Sequence, residues 1–409
     1  METVRAGRRG FWALIRPICV CLCLGVWVAA PAEAQQRRAS PQGFEQVKGE
    51  ATRAREAGRL EEAIPLYRKA VAARPDWAEG WWFLATLLYD RDEYAEAARA
   101  FKRTAQLQPK VGAPLVMLGL CEFRLADYDN ALQHLRQGRQ IGIVDNQELA
   151  RVMNYHEGLL LLLKGDFETA QNVFTALSYD NVNREDLIIA HGLASLRMAM
   201  LPAQVAPTHR DRELIRRAGF AEHLSAQVNQ GDARREFERL AADYPRAPGV
   251  QYAYGRYLVK QRDDEGAIAA FGREIENSPS HALARLQIAF IKLRTKEPAA
   301  GLALAREAVA LHPRLPLGRY VLGRILFETG ETNTGIEELE QARRLAPNEP
   351  RVYFTLARAY AKAGRAAEAE QARETFARLN KMAEESAAQG VARGEAIEEG
   401  AEKPKPDPR

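Results

Sequence analysis

AEGWWFLATLLYDRDEYAEAARAFKRTAQLQP, residues Ala78 to Pro109, reads as two short helices back to back. In the first, Gly80 to Tyr89, the residues Trp81, Leu84, Ala85 and Leu88 recur at spacings of three and four, which puts them on one helical stripe. In the second, Tyr94 to Leu107, Tyr94, Ala97, Phe101, Thr104 and Ala105 do the same. Asp90-Arg91-Asp92 makes a polar turn between them, and Pro109 stops the pair. Neither helix can hide its apolar stripe alone, so the unit needs neighbours.

The neighbours recur at a fixed period. Stepping 34 residues back from Ala97 lands on Ala63 in GRLEEAIPLYRKAVAARP, and stepping 34 forward lands on Ala131 in ADYDNALQHLRQG. Units then run Phe44–Trp77, Ala78–Pro109, Gly112–Asp145 and Arg151–Asn183. They resume as Pro248–His281, Ala282–Leu315, Pro316–Glu349 and Pro350 to about Ala383. Between Glu185 and Tyr244 the period stumbles: Pro202, Pro207 and Pro245 punctuate three helices where two would continue the pattern.

In pattern the chain resembles the tetratricopeptide repeat family. The family's pattern sets an aromatic or Leu at the fourth place, Leu at the seventh and Gly or Ala at the eighth, as Trp81, Leu84 and Ala85 do here. Ala at the twentieth, an aromatic at the twenty-fourth and Pro at the thirty-second complete it. The resemblance implies an all-α, right-handed superhelical solenoid of antiparallel helix pairs. Its small residues lie where the two helices of a unit touch, and a groove is lined by the first helices. The organisation expected is a leader (1–34), a linker (35–43), an N-terminal array (44–200), irregular connecting helices (201–247), a C-terminal array with a capping helix (248–383) and a charged, unfolded tail (384–409).

The first residues differ in kind. Arg5, Arg8 and Arg9 precede an apolar run from Ile18 to Ala30, and Ala32-Glu33-Ala34 follows as a small-x-small cleavage signature. This reads as a secretory signal peptide cleaved after Ala34, which places the mature chain in the periplasm or outside the cell. Arg8-Arg9-Gly10-Phe11 leaves twin-arginine export open as an alternative. Arg16 and Pro17 interrupt the run needed for an uncleaved anchor. Membrane association is expected only through such an anchor or through a partner.

Three of the four cysteines lie in the leader, so Cys121 stands alone as a small buried hydrophobe without a disulfide. The 58 basic and 54 acidic residues nearly cancel, which excludes a whole-surface nucleic-acid binder. No two of the seven His frame a helical zinc motif. There is also no phosphate-cradling Gly-Lys-Ser loop, no Gly-x-Ser-x-Gly elbow and no Cys-x-x-Cys. No enzyme, metal, cofactor or small-molecule substrate is therefore expected.

What the repeats offer is a surface for a protein partner. By the resemblance, the fifth, ninth and thirteenth places of each first helix face the groove. In the C-terminal array the ninth place is Arg256, Phe290, Arg324 and Arg358, and the fifth includes Tyr252, Tyr320 and Phe354. The thirteenth is Lys260, Arg294, Glu328 and Lys362. Such a basic row beside an aromatic one suits an acidic, partly apolar segment, since Arg grips a carboxylate with two bonds while aromatics bury the apolar parts. The N-terminal groove, with Trp82, Tyr89, Phe123 and Tyr155, grows more apolar toward Leu159–Leu163. It is expected either to bind an apolar helix or, preferably, to be covered by the chain's own middle segment. The function expected is an exported scaffold, with a structural subunit of an envelope complex, or an accessory to envelope polymer synthesis, as the alternatives.

Overall fold

The computed structural model describes residues 41–143, 146–179, 184–227 and 229–399, and among these no strand occurs. Antiparallel helices follow in pairs: α1 (Pro41–Glu56) with α2 (Leu60–Ala73), α3 (Ala78–Asp90) with α4 (Tyr94–Leu107), α5 (Ala113–Arg124) with α6 (Tyr128–Ile141), and α7 (Gln147–Leu163) with α8 (Phe167–Tyr179). Then come α9 (Glu185–Ser195), α10 (Arg212–Ala226) and α11 (Gln230–Asp243). The pairing resumes with α12 (Val250–Lys260) and α13 (Asp264–Asn277), α14 (Ala282–Arg294) and α15 (Pro298–Leu311), α16 (Pro316–Glu328) and α17 (Thr332–Leu345), and α18 (Pro350–Lys362) and α19 (Ala366–Glu399). Each pair packs on the next, which makes an all-α solenoid.

The aromatic place of the second helices explains why the core is strung along the chain. Tyr67, Phe101, Phe174, Phe237 and Phe271 are each 0% exposed. Each ring needs a small residue opposite. A methyl group on Gly158 would stand 2.4 Å from the Phe174 ring, and one on Gly255 would stand 2.6 Å from that of Phe271. Burial of one such ring contributes about 1.5–3 kcal/mol, so stability is distributed unit by unit.

The turn inside each pair is a backbone device. Gly58, Asp92, Ala126, Arg262, Lys296, Gly330 and Gly364 occupy the same repeat place, all with φ between 60° and 99°. At six of these seven turns the next amide reaches back across the turn, as with Asp127 to the Glu122 carbonyl at 2.9 Å and Glu297 to the Lys292 carbonyl at 2.8 Å. Asp, Ala, Arg and Lys are tolerated there at a strain of about 1 kcal/mol because these bonds and the packing on both sides fix the turn.

The structure identifies the helix that breaks the parity. Ala221, Ala233, Phe237 and Pro245 stand one repeat period before Gly255, Ala267, Phe271 and Pro279, respectively. Thus α10 and α11 form a regular unit in register with α12 and α13. The odd helix is α9, which ends in the usual left-handed turn at Arg197 (φ 58°) but is followed by an insertion with a single 3-10 turn, Pro202–Gln204, instead of a second helix. Lacking that partner, α9 packs on α10. A Cβ on Gly192 would stand 1.8 Å from the Ile215 carbonyl oxygen, so the backbones nearly touch.

Two departures concern helix ends. The start of α12 is capped from another helix: Glu274 of α13, 0% exposed, accepts from the Gly249 amide at 2.9 Å and from the Tyr252 amide at 3.1 Å. The last helix, α19, runs to Glu399, whereas the sequence reading places an unfolded tail from residue 384. The reason is compositional: AEESAAQGVARGEAIEE is dominated by strong helix formers, and no Pro occurs before Pro404. The leader and linker, 1–34 and most of 35–43, lie outside the described residues.

Candidate functional site

On the face made by the first helices, the groove residues of consecutive C-terminal units do meet. Arg358 and Lys362 of α18 both lie over the Phe327 ring of α16, each at 5.2 Å from its centroid. Arg358 is also 5.9 Å from the Phe354 ring. Arg324 donates to the Tyr320 hydroxyl at 3.3 Å. Neither Arg256 nor Arg324 has a carboxylate within ion-pair distance among the described residues, and both are half-buried. Phe354 is 48% exposed and, with Phe327, Ala357, Arg358, Ala361, Arg373 and Phe376, borders a largely apolar cleft of about 520 Å³.

Other members of the expected row are placed elsewhere. Tyr252 and Tyr320 are 1% and 5% exposed, so they are core residues and not groove walls. Tyr252 packs on Phe271 and against the His281 ring at 4.7 Å, in the loop that enters the next unit. Phe290 is half-buried against the adjoining core. Arg294 is ion-paired with Asp264, Lys260 lies 3.6 Å from the buried Glu222, and Arg358 lies 3.3 Å from Glu328. Arg256 also faces Glu222, at longer range, and helps to hold that carboxyl below its ordinary range against the opposing effect of burial. The row is therefore shorter than the repeat period implies: Arg324 and Lys362 keep their charges unmatched among the described residues, and Arg358 shares its own.

The N-terminal face holds the larger feature, a bay of about 900 Å³. Tyr89, Phe123 and Tyr155 line it, but Trp82 does not: its ring is half-buried and packs edge-on against Phe101 at 5.4 Å. The apolar run Leu159–Leu163 is mostly core as well: Leu159 is 5% and Leu162 0% exposed. The middle segment covers it in part, with Met198, Met200 and Leu201 packed on the same cluster, while Leu201, Pro202 and Ala203 form a wall of the bay without filling it. Arg212 ties that wall down, donating to the Val205 carbonyl at 2.7 Å and to Glu185 at 3.3 Å.

Behind the bay lies a polar network of which the repeat pattern gives no sign. Gln171 of α8 contacts His191 Nδ1 at 3.0 Å, His191 Nε2 contacts the Ser178 hydroxyl at 2.8 Å, and that hydroxyl contacts His223 Nδ1 at 2.8 Å. Ser195 donates to Glu222 at 3.0 Å beside it. With one hydroxyl proton, Ser178 accepts from one ring and donates to the other, which fixes the tautomers. Burial, opposed by Glu222 and reinforced by His223, holds His191 down at about 4, so the ring is neutral. Ser178 and His191 are both 0% exposed, and the arrangement joins α8, α9 and α10 without presenting a reactive group to solvent. Spacing alone cannot reveal it, since His191 and His223 lie on different helices and off the repeat period.

Among the described residues no cluster of three or more His, Cys, Asp or Glu side chains could hold a metal ion, and no helix is long and apolar enough to cross a membrane. Cys121 is buried, and burial pushes its thiol up to about 12. The grooves described above present cations, rings and apolar walls.

Comparison with known proteins places the chain. Tetratricopeptide repeat profiles match residues 49–112, 88–143 and 221–282, and a second profile of the same description matches 326–391. The cytochrome c-type biogenesis protein CycH of Pseudomonas aeruginosa is 44% identical over 55 residues, which are 13% of this chain and 14% of that protein. Among solved structures, MamA (residues 41 to the end) from Desulfovibrio magneticus RS-1 is 19% identical with a TM-score of 0.38, covering 42% of this chain and 96% of that one. The APC/C hetero-tetramer Cut9-Hcn1 is 13% identical with a TM-score of 0.39, covering 83% and 87%. With repeats matched over more than half of its length and all the described helices but α9 stacked in pairs, the chain belongs to the tetratricopeptide repeat family and has the build of a protein-interaction scaffold.

Proposed function

We propose that the chain is exported to the cell envelope and there holds an acidic, partly apolar segment of a partner protein in its C-terminal groove. The observation that carries this reading is the stacking of Arg358 and Lys362 over Phe327, beside the exposed Phe354 ring. Consecutive units thus contribute cations and rings to one surface. A carboxylate there meets Arg324 and Lys362, while apolar side chains enter the cleft between Phe354 and Phe376. Export rests on the positive start, apolar run and Ala32-Glu33-Ala34 of the leader.

The test is capture from an envelope extract with the full chain and with Arg324→Glu/Phe354→Glu. Phe354 is exposed and Arg324 has no carboxylate within ion-pair distance among the described residues, so helicity and unfolding midpoint should stay as in the unaltered chain. A protein retained by the unaltered chain, released by moderate salt and lost by the double variant is the expected result. Equal capture by both chains overturns the C-terminal groove as the site. Recovery of the chain in the cytoplasmic fraction overturns export.

A further inference from the structure

We infer that the N-terminal bay is a second, separate docking site, which takes a short segment pairing bulky apolar side chains with one Asp or Glu. The bay owes one wall to the insertion after α9: Leu201, Pro202 and Ala203 line it together with Phe123, Val152 and Leu159, and it stays open to solvent. Its volume, about 900 Å³, is at the upper end of the range for small-ligand clefts and admits a few side chains but not a whole helix.

The charges inside the bay select the polar half of the occupant. Each acidic group on its rim already meets an arginine: Glu148 with Arg151 at 3.8 Å, Asp186 with Arg184 at 2.7 Å, and Glu185 with Arg212 at 3.3 Å. Arg124, at the end of α5, has no carboxylate at ion-pair distance among the described residues. It lies over the Tyr94 ring at 5.5 Å and beside the Tyr89 hydroxyl, and the nearby Asp92 is taken by the Tyr94 hydroxyl. One unmatched guanidinium beside apolar walls, where the other lining charges include both signs, calls for one negative charge. A nearby ring adds an acceptor. His156, packed on Phe123 at 4.8 Å, donates its Nδ1–H to the Val152 carbonyl at 2.8 Å, which leaves its Nε2 lone pair to receive a backbone N–H of the segment.

This site rests on different residues from the C-terminal groove, so the two stand or fall separately, and together they make the chain a bivalent adaptor. The test is selection from a random-peptide phage library on the immobilised full chain, followed by fluorescence anisotropy with the recovered peptides made synthetically. Expected are peptides with adjacent bulky apolar residues next to Asp or Glu. Their affinity should fall about tenfold or more with Arg124→Glu and with the peptide's own acid-to-amide change, the two losses not adding. It should be unchanged with Arg324→Glu. Arg124 is exposed, so circular dichroism of the Arg124 variant should match the unaltered chain, and Arg124→Gln should give an intermediate loss. The inference is overturned by recovered peptides that lack an acid, by peptides that bind the Arg124→Glu chain as well as the unaltered one, or by peptides that only Arg324→Glu weakens.

Discussion

Substituting Gly192 by Ala tests whether α9 owes its position to a backbone contact with α10. The new Cβ would stand 1.8 Å from the Ile215 carbonyl oxygen and 2.7 Å from its carbon, with backbone and not a yielding side chain in the way. An unstrained carbon-to-oxygen contact is about 3.3–3.6 Å, so the two helices must part by about 1.5 Å. Since α10 also packs on α8 and α12, the shift is resisted from several sides. Overpacking costs about 1–3 kcal/mol and a clash with backbone belongs at the upper end, about 2–3 kcal/mol, of which the better helix propensity of Ala returns about 1 kcal/mol. A net loss of about 1–2 kcal/mol should appear as a lower urea midpoint. Faster hydrogen exchange should be confined to α9 and α10, because repeat arrays open in parts. Gly219→Ala, whose Cβ would stand 1.8 Å from the Ile188 carbonyl oxygen, should cost about as much. The double variant should cost less than the sum, because one separation of the helices relieves both clashes. An unchanged or raised midpoint for either single variant, or strict additivity in the double, would refute the close crossing.

Four further outcomes follow from the fold. Ala126→Gly should raise the urea midpoint by an amount equivalent to about 1 kcal/mol, since φ at this turn is 60° and Gly relieves the strain; a lower midpoint would show that the turn is not strained. His191, held down at about 4 by burial against an ordinary 6.5, contributes stability that is complete above about pH 6.5 and is lost as pH falls toward 4, by up to about 1.4 kcal/mol per pH unit. Denaturation midpoints at pH 7 and 5 measure this, and His191→Gln should flatten the difference; an equal slope in the variant would assign the acid sensitivity to other groups. Glu274→Ala leaves two buried amides at the start of α12 without their acceptor and should cost about 3 kcal/mol in the same assay, against no change if the cap is idle. In a chain begun at Gln35, Cys121 should resist a thiol reagent at pH 8 until urea is added, because the thiol is buried and pushed up to about 12; rapid labelling without urea would contradict its burial.

The helix pairs are legible because a repeat states the same packing problem many times. One apolar stripe needs a neighbour, and a period of 34 residues supplies it. Even the parity break is written in the chain, in Ala221, Ala233, Phe237 and Pro245 at that spacing before the residues of α12 and α13, although the Pro-rich insertion just upstream obscures the register. The end of α19 escapes a reading by charge, because the Ala and Glu content of the segment sustains a helix whatever its net polarity.

The groove is harder to read. Period fixes the angle of a residue around its helix, and so it places Arg324, Arg358 and Lys362 on a common face. Distance to the neighbouring unit is a separate quantity, set by how closely small residues let helices approach. That distance buries Tyr252 and Tyr320 while leaving Phe354 open where the array ends. Ion pairing is likewise a matter of which side chains lie within reach across units, as Arg294 of α14 with Asp264 of α13 shows. The amino-acid order dictated the fold, because local periodicity and apolar burial act over a few turns of helix. The bay, its unmatched Arg124 and the Ser178–His191–His223 network arise from residues far apart in the chain, and three-dimensional packing alone brings them together.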